Sequence, residues 1–164
     1  MSAYEVVQRA AREYAAIPIS ATMAELAVTV PPLTGEVFDW LALHGVTASG
    51  PPFWKYDVID MLRTLQLQVG VATAHPAQGD ERVVTGELPA GRYLETVHLG
   101  HPDTLEGATA QLLEYAATEG LEFDVVDSPE GERWTARLEF YLTDPAVQPD
   151  LDLWETLLAF KLTD

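Results

Sequence analysis

Apolar and polar positions in the first part of the chain predict two strands followed by a helix. Residues 4–9 and 14–22 are rich in Val, Ile, Tyr and Thr, the side chains that favour extended backbone. In residues 33–44 the apolar side chains recur at three- and four-residue spacing after a Pro-Pro pair, and Gly45 follows them. This pattern is typical of an amphipathic helix that ends at the glycine.

Two more strands complete this half. Gly, Pro and Pro at positions 50–52 predict a turn, and residues 53–60 that follow are extended. In residues 65–71, Leu and Val alternate with Gln and Gly, which indicates a strand with one buried face. The first half therefore contains strands, one helix and two further strands.

The second half repeats this order. Residues 83–87 and 92–99 are extended, and Asp103 or Thr104 is expected to cap a helix that ends at Gly120. Strands are predicted over 134–143 and 153–162. The predicted inner stripe of the helix consists of four residues: Leu105, Ala108, Leu112 and Ala116.

The repeat predicts an α+β fold built from two similar units. The first unit spans about 1–78 and the second about 80–164, and a Pro- and Gly-containing linker at 75–80 joins them. Each unit alone buries little core, so we expect both to form one domain over 1–164 with a cleft between them. We expect no DNA-binding domain.

Composition narrows the possible partners. The 164 residues include 26 acidic and 9 basic side chains, a net charge of −17, and 48% are hydrophobic. Such an acidic surface disfavours nucleic acid and anionic membranes as partners. Cysteine is absent, which excludes thiol chemistry and disulfides and suits a cytoplasmic location. We expect no cofactor.

Three short motifs in order resemble one family. They are the Gly-Pro-Pro-Phe segment with a following Tyr at 50–56, the Pro-Ala-Gly strand and His-x-Gly turn at 88–102, and the Glu-x-Tyr strand at 138–141. In these motifs the chain resembles the GyrI-like (gyrase-inhibitor-like) small-molecule-binding domains, which also serve as effector-binding domains of bacterial multidrug-responsive regulators.

The resemblance implies both a fold and a ligand class. It implies tandem strand-helix-strand-strand (SHS2) units around a pseudo-two-fold axis, with antiparallel sheets, helices on one side and a central cleft. Members of this family bind hydrophobic, often cationic aromatic compounds in that cleft. Some that lack a DNA-binding domain hydrolyse cyclopropane-bearing DNA-alkylating compounds with a glutamate and aromatic side chains.

Glu139 is the principal candidate for chemistry. In the strand predicted over 134–143, alternation places Leu138 and Phe140 on an apolar face that we expect to meet the helices. Glu139 and Tyr141 share the other face and would point into the cleft. A carboxylate among aromatic rings is poorly hydrated and attracts a cation. The alternative is an ion pair with Arg137 on a solvated sheet face.

Aromatic side chains supply candidate walls for a flat ligand. Trp54 and Tyr56 share one face of a strand, Trp40 lies on the first helix, and Tyr93 lies on the first strand of the second unit. Rings facing a cleft contribute about 0.5–2 kcal/mol each to cation binding. The alternative, that the rings are core, is favoured slightly for Trp40. Two other tryptophans are interpreted as structural: Trp134 and Trp154.

A metal site is not expected. His98, His101 and Asp103 are close in sequence, but their position between a strand and a helix favours a role in starting the helix.

Three functions remain open. The first is a stand-alone protein that binds lipophilic aromatic cations, with Glu139 as counter-charge and Trp54, Tyr56, Tyr141, Tyr93, Trp40 and Arg137 around the ligand. The second is a hydrolase of strained-ring electrophiles, in which Glu139 activates water and Tyr141 or Tyr93 donates a hydrogen bond to the departing oxygen. The third is an acidic protein-interaction module.

Overall fold

A computed structural model describes residues 4–164 of the chain. Both predicted long helices are present, and the predicted strands occur in the predicted order, although the strand expected over 134–143 is interrupted. The helices are α1 Leu26–Thr29, α2 Pro31–His44 and α3 Leu105–Thr118. The strands are β1 Glu5–Arg9, β2 Arg12–Ala21, β3 Ala48–Ile59, β4 Leu65–Thr73, β5 Val84–Leu88, β6 Gly91–Leu99, β7 Val125–Ser128, β8 Gly131–Trp134, β9 Arg137–Tyr141 and β10 Glu155–Lys161.

The order of strands across the sheet is symmetric when each strand is matched to its counterpart in the other half of the chain. The strands run β1-β6-β10-β9-β3-β4-β2-β5, and each pair is antiparallel. If the second half is superposed on the first in chain order, β5 takes the place of β1 and β9 takes the place of β3. The first strand of each half therefore lies at the edge of the other half. The fold is the α+β tandem repeat that was predicted, with β3 and β9 at its centre.

The two faces of the sheet form two separate cores. The buried apolar residues of α2 and α3 all belong to one cluster, together with alternate residues of β2, β4 and β10. The second cluster contains no helix residue. In it Phe53 packs between Tyr14 and Phe140, with ring centroids 5.6 Å apart in each pair. The sheet thus buries one face under the helices and the other through its own strands.

Two expectations about β9 and its neighbours are wrong. Leu138 and Phe140 lie in the second core and do not meet the helices. The strand expected over 134–143 is broken at Thr135 and Ala136, so that Trp134 ends β8 and packs in the helix-side core. Alternation assigns residues to shared faces, but it does not specify which face the helices cover.

The Gly50-Pro51-Pro52 segment is also not a turn. It continues β3, and the pairing of β3 with β4 is irregular between Ala48 and Pro52. Proline is tolerated there because an irregular ladder does not require every backbone N–H.

The short helix α1 was not predicted. It follows a capping box, in which the Thr22 N–H donates to the Glu25 carboxylate and the Glu25 N–H donates to the Thr22 hydroxyl oxygen. The Thr-x-x-Glu spacing was the sequence signal for it. Neither long helix among residues 4–164 combines the length and the apolar character needed to cross a membrane.

Candidate functional site

A cavity of about 590 Å³ lies between the helices and the sheet. Its walls come from α1 and the start of α2, from β3 and β9, from the start of α3, and from the segment that joins β9 to β10. Apolar side chains dominate this lining, and few charged groups interrupt them. A cavity of this size accommodates a drug-sized molecule.

The pairing of β3 with β9 places the polar groups of the cavity. Trp54 lies directly opposite Glu139, and the antiparallel register puts Tyr56 and Tyr141 two residues further along their own strands. All four side chains therefore point to the same face of the sheet. The Tyr56 hydroxyl donates to Oε1 of Glu139 at 3.0 Å, and the Tyr141 hydroxyl donates to the same oxygen at 2.7 Å.

Burial controls the protonation of this cluster. The Glu139 side chain lies in the cavity wall, and the whole residue is only 8% exposed. Burial raises the pKa of its carboxyl above the usual value, while the tyrosine hydrogen bonds and the charge of Arg137 oppose that rise. The pKa values of Tyr56 and Tyr141 are raised by burial and by the Glu139 charge, so both hydroxyls remain hydrogen-bond donors.

Arg137 occupies an aromatic cage beside Glu139. Its guanidinium carbon lies 4.7 Å from the centroids of the Trp134 and Phe160 rings and 5.9 Å from that of Tyr56. Burial lowers the pKa of the guanidinium, and the charge of Glu139 partly offsets this effect. The expected alternative, a solvated Glu139–Arg137 ion pair, is not found among residues 4–164.

Trp54 supplies an aromatic wall next to the carboxylate. Its ring meets that of Tyr141 edge to face, with centroids 5.3 Å apart and planes at 64°. The side chain is only partly buried and lines the cavity. The indole therefore lines the cavity beside Glu139, in an arrangement suited to a flat or cationic ligand.

Two candidate residues lie outside the cavity. Tyr93 is buried in the second core, where its hydroxyl donates to the backbone oxygen of Pro89. Trp40 is core, and its indole N–H donates to the Asp80 carboxylate in the linker at 2.8 Å. The structure thus brings five of the seven candidates together: Glu139, Tyr141, Trp54, Tyr56 and Arg137.

Two acidic residues stand at the start of α3 on the rim of the cavity. Asp103 and Glu106 are both exposed, and both contribute to the lining. The preceding turn is held by His101, whose Nδ1 accepts from the backbone N–H of Asp103. Neither Asp103 nor Thr104 caps the helix with its side chain, contrary to expectation. Within residues 4–164 no group of three or more His, Asp or Glu side chains is arranged for a metal ion.

Sequence reasoning missed the apolar rim of the cavity. Met23, Leu26 and Met61 line it. Met23 lies just before the unpredicted helix α1, Leu26 begins that helix, and Met61 lies in the β3–β4 turn. Trp154 also lines it, in addition to donating its indole N–H to the backbone oxygen of Gln148. Large apolar side chains between the predicted strands and helices were the available signal.

Comparisons with known proteins agree with this fold. A family model described as the GyrI-like small molecule binding domain matches residues 2–158. The crystal structure of the EcmrR C-terminal domain is similar with a TM-score of 0.74 at 13% identity, covering 98% of this chain and 97% of that one. In the EcmrR–DNA complex the TM-score is 0.73 at 15% identity, and 99% of this chain spans 58% of the EcmrR chain. No curated protein matches in sequence.

Other solved structures share the fold at lower similarity. SAV2435 bound to tetraphenylphosphonium has a TM-score of 0.62 at 8% identity, covering 98% of this chain and 93% of that one. A hydrolase from Listeria innocua has a TM-score of 0.58 at 14% identity, covering 98% and 91%. At these identities the likeness shows the fold and leaves the ligand to be argued from the site.

Proposed function

The chain belongs to the GyrI-like small-molecule-binding domain family, and from that premise we propose that it binds lipophilic aromatic cations with Glu139 as their counter-charge. The single observation that carries the proposal is the buried Glu139 carboxylate, which faces an apolar cavity and accepts two tyrosine hydrogen bonds on one oxygen. Such a group is costly to bury, and a cationic ligand offsets that cost.

The surroundings of Glu139 support a hydrophobic ligand. The cavity volume of about 590 Å³ exceeds the needs of a simple ion, and Trp54 offers a ring beside the carboxylate. Asp103 and Glu106 add negative charge at the rim, and the net charge of −17 draws cations to the molecule. The SAV2435 structure with tetraphenylphosphonium supplies a suitable probe of this class.

A titration with tetraphenylphosphonium tests the proposal. We expect Glu139→Gln to weaken binding by roughly ten- to a hundredfold, since a charge-assisted contact in a buried site contributes about 1.5–3 kcal/mol. Glu106→Gln is the matched control, because it removes a carboxylate from the exposed rim of the same cavity, and it should weaken binding less than threefold. Equal affinity of the Glu139→Gln variant and the unaltered protein would contradict the role of this carboxylate.

The same carboxylate also supports hydrolysis as a second candidate function. Hydrogen bonds to Glu139 reach only Oε1 among the described residues, so Oε2 is free to accept a proton from water. Its raised pKa brings it closer to that of an effective general base near neutral pH. The tyrosine donor for a departing oxygen would then be Tyr141 and not Tyr93, which lies in the other core.

In that reaction water opens the cyclopropane of an alkylating compound. Glu139 takes one proton of the water, the oxygen bonds to a ring carbon, and a ring C–C bond breaks towards a conjugated carbonyl. In this step the Tyr141 hydroxyl turns from Glu139 to donate its hydrogen bond to that carbonyl oxygen. The proton that Glu139 took from the water finally passes to the same oxygen, which regenerates the carboxylate. Mass spectrometry would detect the water adduct, and formation at the uncatalysed rate would exclude this candidate for the compound tested.

A further inference from the structure

The guanidinium of Arg137 has no hydrogen-bond acceptor among residues 4–164. The rings of Trp134 and Phe160 contact it at 4.7 Å, and no described hydrogen bond or ion pair uses its five N–H donors. Ring faces attract the positive charge, but they do not satisfy N–H donors as an oxygen does. Arg137 is only partly buried and lines the cavity, so its side chain is within reach of a ligand held there.

Arg137 and Glu139 place two opposite charges next to each other in the cavity wall. The two residues lie two positions apart on β9 and share one face, so their backbone positions are separated by roughly 7 Å. A ligand that carried only a positive charge would satisfy Glu139 and be repelled by Arg137. A ligand that also presents an oxygen acceptor would satisfy both groups.

We infer that Arg137 forms an acceptor subsite of the cavity, so that the preferred ligand is an aromatic cation that also carries a carboxylate or carbonyl oxygen. This inference rests on the proposed function and specifies its ligand class further. The aromatic cage has a defined part in it. Trp134 and Phe160 hold the guanidinium in place, as pre-organised binding requires, and leave its donors for the ligand oxygen.

Two matched dyes test the inference. Tetramethylrhodamine and tetramethylrosamine share one cationic ring system and differ in a single carboxylate. We expect the protein to bind the rhodamine at least tenfold more tightly, because a charge-assisted contact with an arginine is added. The Arg137→Met variant should lose this preference and bind the rosamine as well as or better than the unaltered protein does.

The Arg137→Lys variant guards against loss of structure. It keeps the charge without the planar fork, and we expect it to retain part of the preference for the carboxylate. If Arg137→Met unfolds, the inference is still tested by comparing the ratio of rhodamine to rosamine affinity in Arg137→Lys with that in the unaltered protein. A preference for the rosamine in the unaltered protein, or the same ratio in every variant, would overturn the inference.

The outcome for the proposed function is read separately. Loss of rosamine binding in Glu139→Gln reports on the counter-charge, whereas the ratio of the two dyes reports on Arg137. If Glu139→Gln loses rosamine binding but the unaltered protein does not prefer the dye with the carboxylate, only the acceptor subsite is overturned. Failure of both dyes to bind would overturn both proposals for this ligand class.

Discussion

Trp54 and Glu139 lie directly opposite each other on β3 and β9, the two strands through which the halves of the fold meet. Tyr56 and Tyr141 follow at matching positions, and both hydroxyls donate to the same carboxylate oxygen. The order of strands is symmetric about this pair, but the side chains are not: one half supplies an indole and the other supplies the charge. A symmetric fold thus builds a cavity with a single buried carboxylate.

Cation binding should weaken at mildly acidic pH. Burial raises the pKa of Glu139, so its carboxyl takes up a proton at a higher pH than an ordinary glutamate and ceases to be a counter-charge. Tetraphenylphosphonium carries a permanent charge, so the loss of affinity reports on the protein. We expect the affinity to fall with a midpoint at a pH above the ordinary glutamate pKa of about 4.3. In Glu139→Gln the affinity should depend less on pH. A midpoint at or below that value would contradict this prediction.

Replacing Glu139 should stabilise the empty protein at neutral pH. A carboxyl whose pKa is higher in the folded than in the unfolded state supports folding at low pH, and this support is lost as the pH rises through the folded value. Glu139→Gln should therefore raise the melting temperature at pH 7.5, and the difference should shrink as the pH falls towards 4. Calorimetry without ligand measures both. A lower melting temperature at pH 7.5 would contradict the assigned cost of burial.

Each of the two tyrosine hydroxyls should stabilise the charged form of Glu139. Tyr56→Phe or Tyr141→Phe removes one donor to Oε1, which leaves the carboxylate less stabilised and raises its pKa further. We expect each variant to bind tetraphenylphosphonium about three- to tenfold more weakly near neutral pH and to shift the midpoint of binding upwards. Unchanged midpoints in both variants would show that the hydrogen bonds do not control the charge.

The Trp54 ring should contribute to binding, while a ring in the other core should not. Trp54→Ala removes a cavity wall, and we expect affinity for an aromatic cation to fall by roughly three- to thirtyfold. Tyr93→Phe is the control, because its hydroxyl donates to Pro89 in the second core, and its affinity should stay within twofold of the unaltered protein. A larger loss in Tyr93→Phe than in Trp54→Ala would place the ligand elsewhere.

Several features of the site follow from local pattern. Alternation along the β9 region places Glu139 and Tyr141 on one face, and the structure confirms this pairing. The helix-ending glycines and the repeated order of elements predict the two-unit fold. The Thr22-x-x-Glu25 spacing is also a local signal, and it indicates the start of helix α1. These signals are short-range, because backbone period and capping depend on neighbouring residues alone.

Other features arise only when distant segments pack together. The sequence by itself determined the repeated order of strands and long helices, the shared face of Glu139 and Tyr141, and the acidic character of the molecule. Only the tertiary structure decided which face of the sheet lies under the helices and that Tyr93 and Trp40 lie in the cores, outside the cavity. It also decided that Arg137 contacts aromatic rings and no hydrogen-bond acceptor among the described residues. The reason is that both sheet faces are apolar enough to form a core, so only long-range packing can select the one that keeps a cavity.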